Sequence, residues 1–283
     1  MNYRHAFHAG NFADVVKHAL LARVLIYLVR KPGALRFLDT HAGTGRYDLS
    51  SDEASRTGEW RSGIGAAALW NAPPPVAELL APYLDAVGPR DPDGRPLSYP
   101  GSPALAQALL RSNDRIALCE LHRADAEALR IGIGRDRRIT VMQRDGYAAL
   151  NALLPPPERR GLVLIDPPFE EPDEFDRLSS AFLAAHRKWP TGTYLLWYPI
   201  KDRVAVTRFA GTLQAAGIPR ILQIHLFVGD GPAGKAGLAG MGLVAVNPPH
   251  VLQGEAEALL SFLTKALGRS PEAAWSCRLL AGE

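Results

Sequence analysis

The segment Leu162-Val163-Leu164-Ile165-Asp166-Pro167-Pro168-Phe169 constrains the fold of this chain more than any other. Its apolar run stops abruptly at a carboxylate, two prolines and an aromatic ring. The run reads as a strand buried on both faces of a parallel sheet. Two prolines cannot continue that strand's hydrogen-bond ladder. Asp166 therefore stands at the carboxyl end of the strand, the edge at which open α/β sheets bind ligands. The prolines stiffen the loop and leave its carbonyls free as acceptors, and Phe169 offers a flat face beside them. A carboxylate, free carbonyls and a ring together are suited to gripping a planar base that carries an exocyclic amine.

Strand-like and helix-like segments alternate along the rest of the chain, the pattern of α/β architecture. Strands are expected over 35–40, 115–121, 139–143, 162–165, 194–198, 221–228 and 243–246. Helices are expected over 14–30, 103–111, 125–131, 175–189, 203–216 and 256–267. The last two strands are separated by a glycine-rich stretch, 229–242, and not by a helix, which predicts an antiparallel pair. Seven strands, mostly parallel and ending in such a pair, resemble the Rossmann-like fold of S-adenosylmethionine (SAM)-dependent methyltransferases. One region breaks the rhythm. Residues 48–98 contain no strand pattern but hold Gly63, Gly65, the Pro73-Pro74-Pro75 run and a helical pattern over 76–87. We read a single domain over 1–283 with an inserted, mainly helical subdomain at 48–98, beside the ligand edge of the sheet. The plainer alternative is a surface insertion without function, since long insertions cost little.

Composition sets the outer bounds. Of 283 residues, 47% are hydrophobic and 22% charged, an ordinary globular balance. The net charge of +3 is compatible with a nucleic-acid substrate but far from that of an electrostatic nucleic-acid coat. Two cysteines, Cys119 and Cys277, without a Cys-x-x-Cys motif indicate a reducing cytoplasm and no disulfide framework. The apolar stretch 19–29 is interrupted by Arg23, too short to span a membrane, and followed by no cleavage-site pattern. It reads as part of a buried amphipathic helix. Nothing in the pattern demands a dimer, so a monomer is expected.

The first strand runs into Asp39-Thr40-His41-Ala42-Gly43-Thr44-Gly45, where glycines such as Gly43 let a backbone turn pass close to a ligand. A dinucleotide fingerprint needs a third glycine at position 48, where Asp48 stands, so a nicotinamide or flavin enzyme is disfavoured. Glu120 ends the next strand, where an acid can accept both hydroxyls of a ribose. Asp145-Gly146 follows the third, where a carboxylate can meet an adenine amine. Each acid taken singly is as readily an ordinary strand-end residue. Three at successive strand ends, with few phosphate ligands, suit a cationic sulfonium cofactor better than a pyrophosphate. Ser102-Pro103 reads first as a helix start, serine at the N-cap and proline at the first helical position. Contact between that helix start and a cofactor is the second reading.

The opening segment, Tyr3-Arg4-His5-Ala6-Phe7-His8, followed by Lys17-His18, is rich in histidine and aromatics. A metal site from His5, His8 and His18 is not expected, because the spacing offers no convincing third ligand and no fixed second shell. Tyr3 and Arg4 instead suit stacking on bases and contact with phosphate. The alternative is a tail packed on the core.

With these residues assembled, the chain resembles the bacterial family of 23S ribosomal RNA adenine-N6 methyltransferases that act on adenine 2030. The resembling blocks are 3–8 with Ala9-Gly10-Asn11, Ala13-Asp14-Val15 with Lys17-His18, 38–43 with Gly45-Arg46-Tyr47, and Arg56-Thr57-Gly58-Glu59. They continue with Tyr99-Pro100-Gly101-Ser102-Pro103, Asp145-Gly146, 159–168, Leu196-Trp197-Tyr198-Pro199 and Asn247-Pro248-Pro249. They span nearly the whole chain in order. The Asp-Pro-Pro-aromatic loop alone marks only the amino-methyltransferase class; the opening block and the His-Ala-Gly turn are more specific. The resemblance implies SAM as cofactor and S-adenosyl-L-homocysteine (SAH) as product, no metal, and 23S rRNA as partner. It implies cofactor contacts from His18, His41, Ser102, Glu120, Asp145 and Gly146, with Gly43 in the turn and Asp166 at the reacting end. Asp166 would be catalytic, with the Pro167 carbonyl and the Phe169 ring, and Tyr3 would touch RNA. Phe169 departs from the tyrosine usual in the family, keeping the ring and losing the hydroxyl. Phenylalanine also stands there in enzymes that methylate guanine N2, so guanine N2 in RNA remains an alternative target, as does adenine in DNA. A non-catalytic RNA-binding module on the same fold is the alternative from another class.

Overall fold

The computed structural model describes residues 4–229 and 238–282. A 3-10 turn at His5–Phe7 leads into α1 (Phe12–Leu28), β1 (Arg36–Asp39), β2 (Arg46–Asp48), α2 (Asp52–Thr57), α3 (Pro74–Val87) and β3 (Ser98–Pro100). The chain then alternates regularly: α4 (Ser102–Leu109), β4 (Arg115–Glu120), α5 (Arg123–Ile133), β5 (Ile139–Gln143), α6 (Gly146–Leu153), β6 (Gly161–Ile165), α7 (Glu174–Lys188), β7 (Thr193–Pro199) and α8 (Arg203–Ala215). It closes with β8 (Ile221–Phe227), β9 (Gly240–Val246), α9 (Leu252–Leu267) and β10 (Ala274–Ala281).

The main sheet runs β10-β8-β9-β7-β6-β1-β4-β5. β5, β4, β1, β6 and β7 are parallel neighbours, and β9 lies antiparallel between β7 and β8. Here the structure adds to the sequence pattern, which shows seven strands where the sheet has eight. The extra strand, β10, pairs antiparallel with β8 at the edge. It is half exposed and mixes polar with apolar residues, so it lacks the continuous apolar signature of the inner strands.

Alternation along each inner strand divides the core in two. In β6, Leu162 and Leu164 enter one cluster while Val163 and Ile165 enter the other. Ile116 and Leu118 of β4 follow the first pattern, and Ala117 and Cys119 the second. The first cluster packs under α1, α3, α4 and α9, and the second under α6, α7 and α8. Period-two side chains covered on both faces are what a parallel sheet requires.

Helix α1 differs from expectation. It is not amphipathic: every residue from Phe12 to Leu25 is buried. Its polar residues are tolerated because each is paired, Arg23 for example by a two-pronged bond to Glu255 of α9 at 2.9 Å. The segment between β2 and β3 supplies much of the cover. It is helical, and Leu69, Leu80, Tyr83 and Val87 join the same cluster as α1 and α9. β2 and β3 pair antiparallel at its two ends, with Asp48 opposite Ser98. No helix among the described residues is long and apolar enough to cross a membrane.

Candidate active site

Because β1, β4, β5, β6 and β7 are parallel, their carboxyl ends open on one edge, and a cleft of about 1150 Å³ lies there. His18, His41, Gly43, Ser102, Glu120, Asp145, Gly146, Asp166, Pro167 and Phe169 all line it. The start of α1 and the preceding turn close it from the other side, through His5, His8, Asp14 and Lys17. Arg4 lies outside the cleft, its guanidinium 3.8 Å from Glu53 on α2. Tyr3 falls outside the described residues.

One half of the cleft is shaped by backbone and acids. After β1 the chain turns at Gly43 with φ of +60°, where a Cβ would come within 2.2 Å of the Tyr47 hydroxyl. Glu120 is held by two backbone donors, Gly43 N–H at 2.9 Å and His122 N–H at 2.7 Å. Burial nevertheless raises its pKa. Asp145 caps α6 by accepting from Ala148 N–H at 2.8 Å. Gly146, the first residue of α6, lies against β1, so that a Cβ there would meet the Thr40 carbonyl oxygen at 2.1 Å.

Ser102 corrects the expected helix start. Gly101 is the N-cap of α4, and Ser102 is the first helical residue. Its hydroxyl donates to Asp39 Oδ2 at 2.6 Å instead of capping the helix. Asp39 also accepts from His41 N–H at 3.1 Å, and burial pushes its carboxyl up to about 7. His41 is held at Nδ1 by Thr40 Oγ1, 2.7 Å away, and stands edge-on to Tyr147. Burial lowers its pKa to about 4, so its ring is neutral.

The other half is built around a buried cation. Lys17 Nζ donates to Asp14 Oδ1 at 2.9 Å and to Asp166 Oδ2 at 2.6 Å, and lies 5.5 Å from the centre of the Trp197 ring. Burial opposes the lysine's charge, but the two carboxylates outweigh it and raise its pKa. Burial likewise opposes charge on Asp14, yet His5 and Lys17 hold it well below the usual carboxylate range. Asp166 Oδ1 has no partner among the described residues, and neither has the Pro167 carbonyl. Phe169 takes a left-handed backbone conformation, φ +51°, unusual for a residue with a side chain. Its half-buried ring packs edge-on against Phe175 and Trp197, with centroids 4.9 and 6.0 Å away.

Sequence reasoning missed Lys17, Asp14 and Asp39 as members of the site. The Asp14 to Lys17 spacing of one helical turn is visible in the chain, but the third partner, Asp166, is 149 residues from Lys17. The histidines weighed as metal ligands go to separate partners: His5 to Asp14, His8 to Glu59 and His18 to Tyr99. Among the described residues no group of three or more His, Cys, Asp or Glu side chains is arranged to hold a metal.

Comparison with known proteins identifies the family. A family model described as "Ribosomal RNA large subunit methyltransferase D, RlmJ" matches residues 32–280. The chain is 40% identical over 284 residues to "Ribosomal RNA large subunit methyltransferase J" of Haemophilus influenzae, covering 100% of both chains. It is 40% identical over 267 residues to the protein of that name in Escherichia coli K12, covering 94% of each. A crystal structure of a Legionella pneumophila protein superposes with a TM-score of 0.85 at 34% identity, over 96% of this chain and 98% of that one. An α/β methyltransferase fold, a cleft at the carboxyl edge of its sheet and these full-length relatives converge: the chain belongs to the large-subunit ribosomal RNA methyltransferase J family, enzymes of the SAM-dependent methyltransferase class.

Proposed function

We propose that this chain transfers a methyl group from SAM to the exocyclic N6 of an adenine in 23S ribosomal RNA, adenine 2030 in the family's numbering. The observation that carries the reading is the end of β6. There Lys17 holds one oxygen of Asp166, while the other oxygen, the Pro167 carbonyl and the Phe169 ring are left for a base. The acidic half of the cleft fits the cofactor. Gly43 and Gly146 let the backbone pack tightly at the strand ends, where any side chain would clash with Tyr47 or Thr40, Glu120 suits a ribose diol, and Asp145 suits an adenine amine. Bound there, SAM supplies an electrophilic methyl group on a positively charged sulfur.

The chain's own residues supply the rest. An adenine amine is a poor nucleophile because its lone pair is delocalised into the ring. Accepting its hydrogens at Asp166 and the Pro167 carbonyl localises that pair and stabilises the charge that develops on nitrogen. The proton then leaves to Asp166 directly or through water. Phe169 stacks on the base, an interaction worth about 1–3 kcal/mol, which offsets the few kcal/mol needed to extrude a paired base. Arg4, exposed one residue before the turn whose His5 lines the cleft, and Tyr3 meet the flanking RNA. On this reading the enzyme acts as a monomer in the reducing cytoplasm, and no step needs a metal.

The test is methyl transfer to unmodified, protein-free 23S rRNA with labelled SAM, followed by digestion and mass spectrometry of the nucleosides. N6-methyladenosine at one site supports the reading, and its loss in Asp166→Ala with SAH binding retained assigns the chemistry. N2-methylguanosine overturns the target atom. Near-normal turnover of Asp166→Ala overturns the catalytic assignment.

A further inference from the structure

A chain of three hydroxyl and imidazole groups runs from the inserted helix into the cleft. The Tyr83 hydroxyl on α3 lies 3.1 Å from the Tyr99 hydroxyl on β3, and the Tyr99 hydroxyl lies 2.7 Å from His18 Nδ1 on α1. Both tyrosines are fully buried, and the Tyr99 and His18 rings stack with centroids 5.5 Å apart. His18 lines the cleft, and its Nε2 has no partner among the described residues.

The direction of donation along this chain follows from counting hydrogens. If Tyr83 donates to Tyr99 and Tyr99 donates to Nδ1, every buried hydroxyl hydrogen has an acceptor. If instead Nδ1–H donates to Tyr99, then Tyr99 must donate to Tyr83. The Tyr83 hydrogen is then stranded, since its oxygen has no other partner among the described residues. A stranded buried donor carries its full desolvation cost, so the first polarity is favoured. Burial raises the pKa of both phenols and lowers that of His18 to about 3, so all three groups stay neutral and the count holds at physiological pH.

We propose that Tyr83 and Tyr99 fix the His18 imidazole as its Nε2–H tautomer, making it a hydrogen-bond donor in the cleft that binds the carboxylate of the cofactor's amino-acid moiety. This rests on the cofactor reading above. Glu120, Asp125 and Asp145, which also line the cleft, suit a diol, an amine or a cation and repel an anion. The His18 Nε2–H is a neutral donor that faces the cleft with no partner among the described residues to compete for it. Tyr99 is the positioning residue, acting through His18, and Tyr83 donates to the Tyr99 oxygen from behind.

The test has two arms. In ligand-free protein, 15N-detected histidine NMR, with the His18 signals assigned from a His18→Gln variant, should show a protonated Nε2 and a bare Nδ1. Tyr83→Phe should keep the Nε2–H form, since Nδ1–H donation would then strand the Tyr99 hydrogen, whereas Tyr99→Phe, which removes the partner of Nδ1, should give a mixture of tautomers. A protonated Nδ1 in the wild type overturns the proposal. In calorimetric titrations, Tyr99→Phe should weaken SAH binding about tenfold, yet change binding of decarboxylated SAH, which keeps the amine, by less than about twofold. In His18→Gln the Tyr99→Phe change should add nothing. Equal weakening of both ligands overturns the carboxylate assignment. Failure of SAH to bind the wild type overturns the cofactor reading itself and is told apart by the NMR arm, which needs no ligand.

Discussion

Lys17 shows how one buried side chain ties catalysis to stability. Its ammonium pairs with Asp14 and Asp166 together, so removing it takes from both carboxylates the cation they share. Breaking a buried ion pair from one side costs about 3–5 kcal/mol. Lys17→Met should therefore lower the denaturation midpoint sharply and abolish transfer. Adding Asp14→Asn should restore much of the stability but none of the activity, as read by guanidinium melts and single-turnover assays. Full recovery of both would mean that Lys17 serves only to neutralise Asp14. Asp39 makes a second prediction with the opposite electrostatic sign. Its carboxyl titrates near 7 when folded against 3.8 as a free side chain, because burial favours the neutral form. Between those values the folded chain holds a proton that the unfolded chain has released, so stability falls as pH rises through the window and is flat above it. The loss is on the order of a few kcal/mol. Asp39→Asn removes that titration. The variant should lose less stability than the wild type between pH 4 and pH 8, and parallel pH dependences in the two proteins would refute the assignment.

At the scale of elements, the site depends on how closely α6 approaches β1. Gly146→Ala would place a methyl group against the carbonyl and Cβ of Thr40, with no flexible side-chain end to yield. Overpacking of this kind costs about 1–3 kcal/mol, and relief requires α6 to withdraw, carrying Asp145 with it. We expect SAH binding to fall at least about tenfold and the melting temperature to drop. Unchanged affinity would mean that Asp145 does not contact the cofactor. The same elements show what the chain discloses. The inner strands were legible because burial on both faces leaves an unbroken apolar run such as 162–165, and the acids beyond them were legible as strand ends. α6 was not read as a helix, since Asp145-Gly146 looks like a turn until its capping bond is seen. β10 escaped because an exposed edge strand need not be apolar. Ser102 was misread because serine before proline is a common cap, and only the fold brings Asp39 within reach of its hydroxyl. The Lys17 to Asp166 pair could not be read at all, for no local pattern records a contact made by tertiary folding.

For the whole molecule, the question is whether residues 48–98 form a unit of their own. We propose that they belong to one cooperative domain. Leu80, Tyr83 and Val87 of α3 share a core with Val16 and Leu20 of α1 and with Leu259 and Leu263 of α9. The Tyr83 hydroxyl reaches the cleft through Tyr99 and His18. A segment that covers α1 in this way cannot melt alone without exposing the helix that carries Lys17 and His18. Thermal unfolding should therefore appear as one calorimetric transition whose van 't Hoff and calorimetric enthalpies agree. Excision gives the sharper experiment. Asp48 and Ser98 face each other across the β2–β3 pair, so a two-residue Asn-Gly turn replacing 49–97 closes the chain without strain. Failure of that shortened chain to fold would then reflect the uncovered apolar face of α1, not an impossible connection. We expect it to be insoluble or molten and unable to bind SAH. A shortened chain that folds and binds SAH with near-native affinity would make the segment a separable appendage, dispensable for the cofactor site and free to serve the RNA alone.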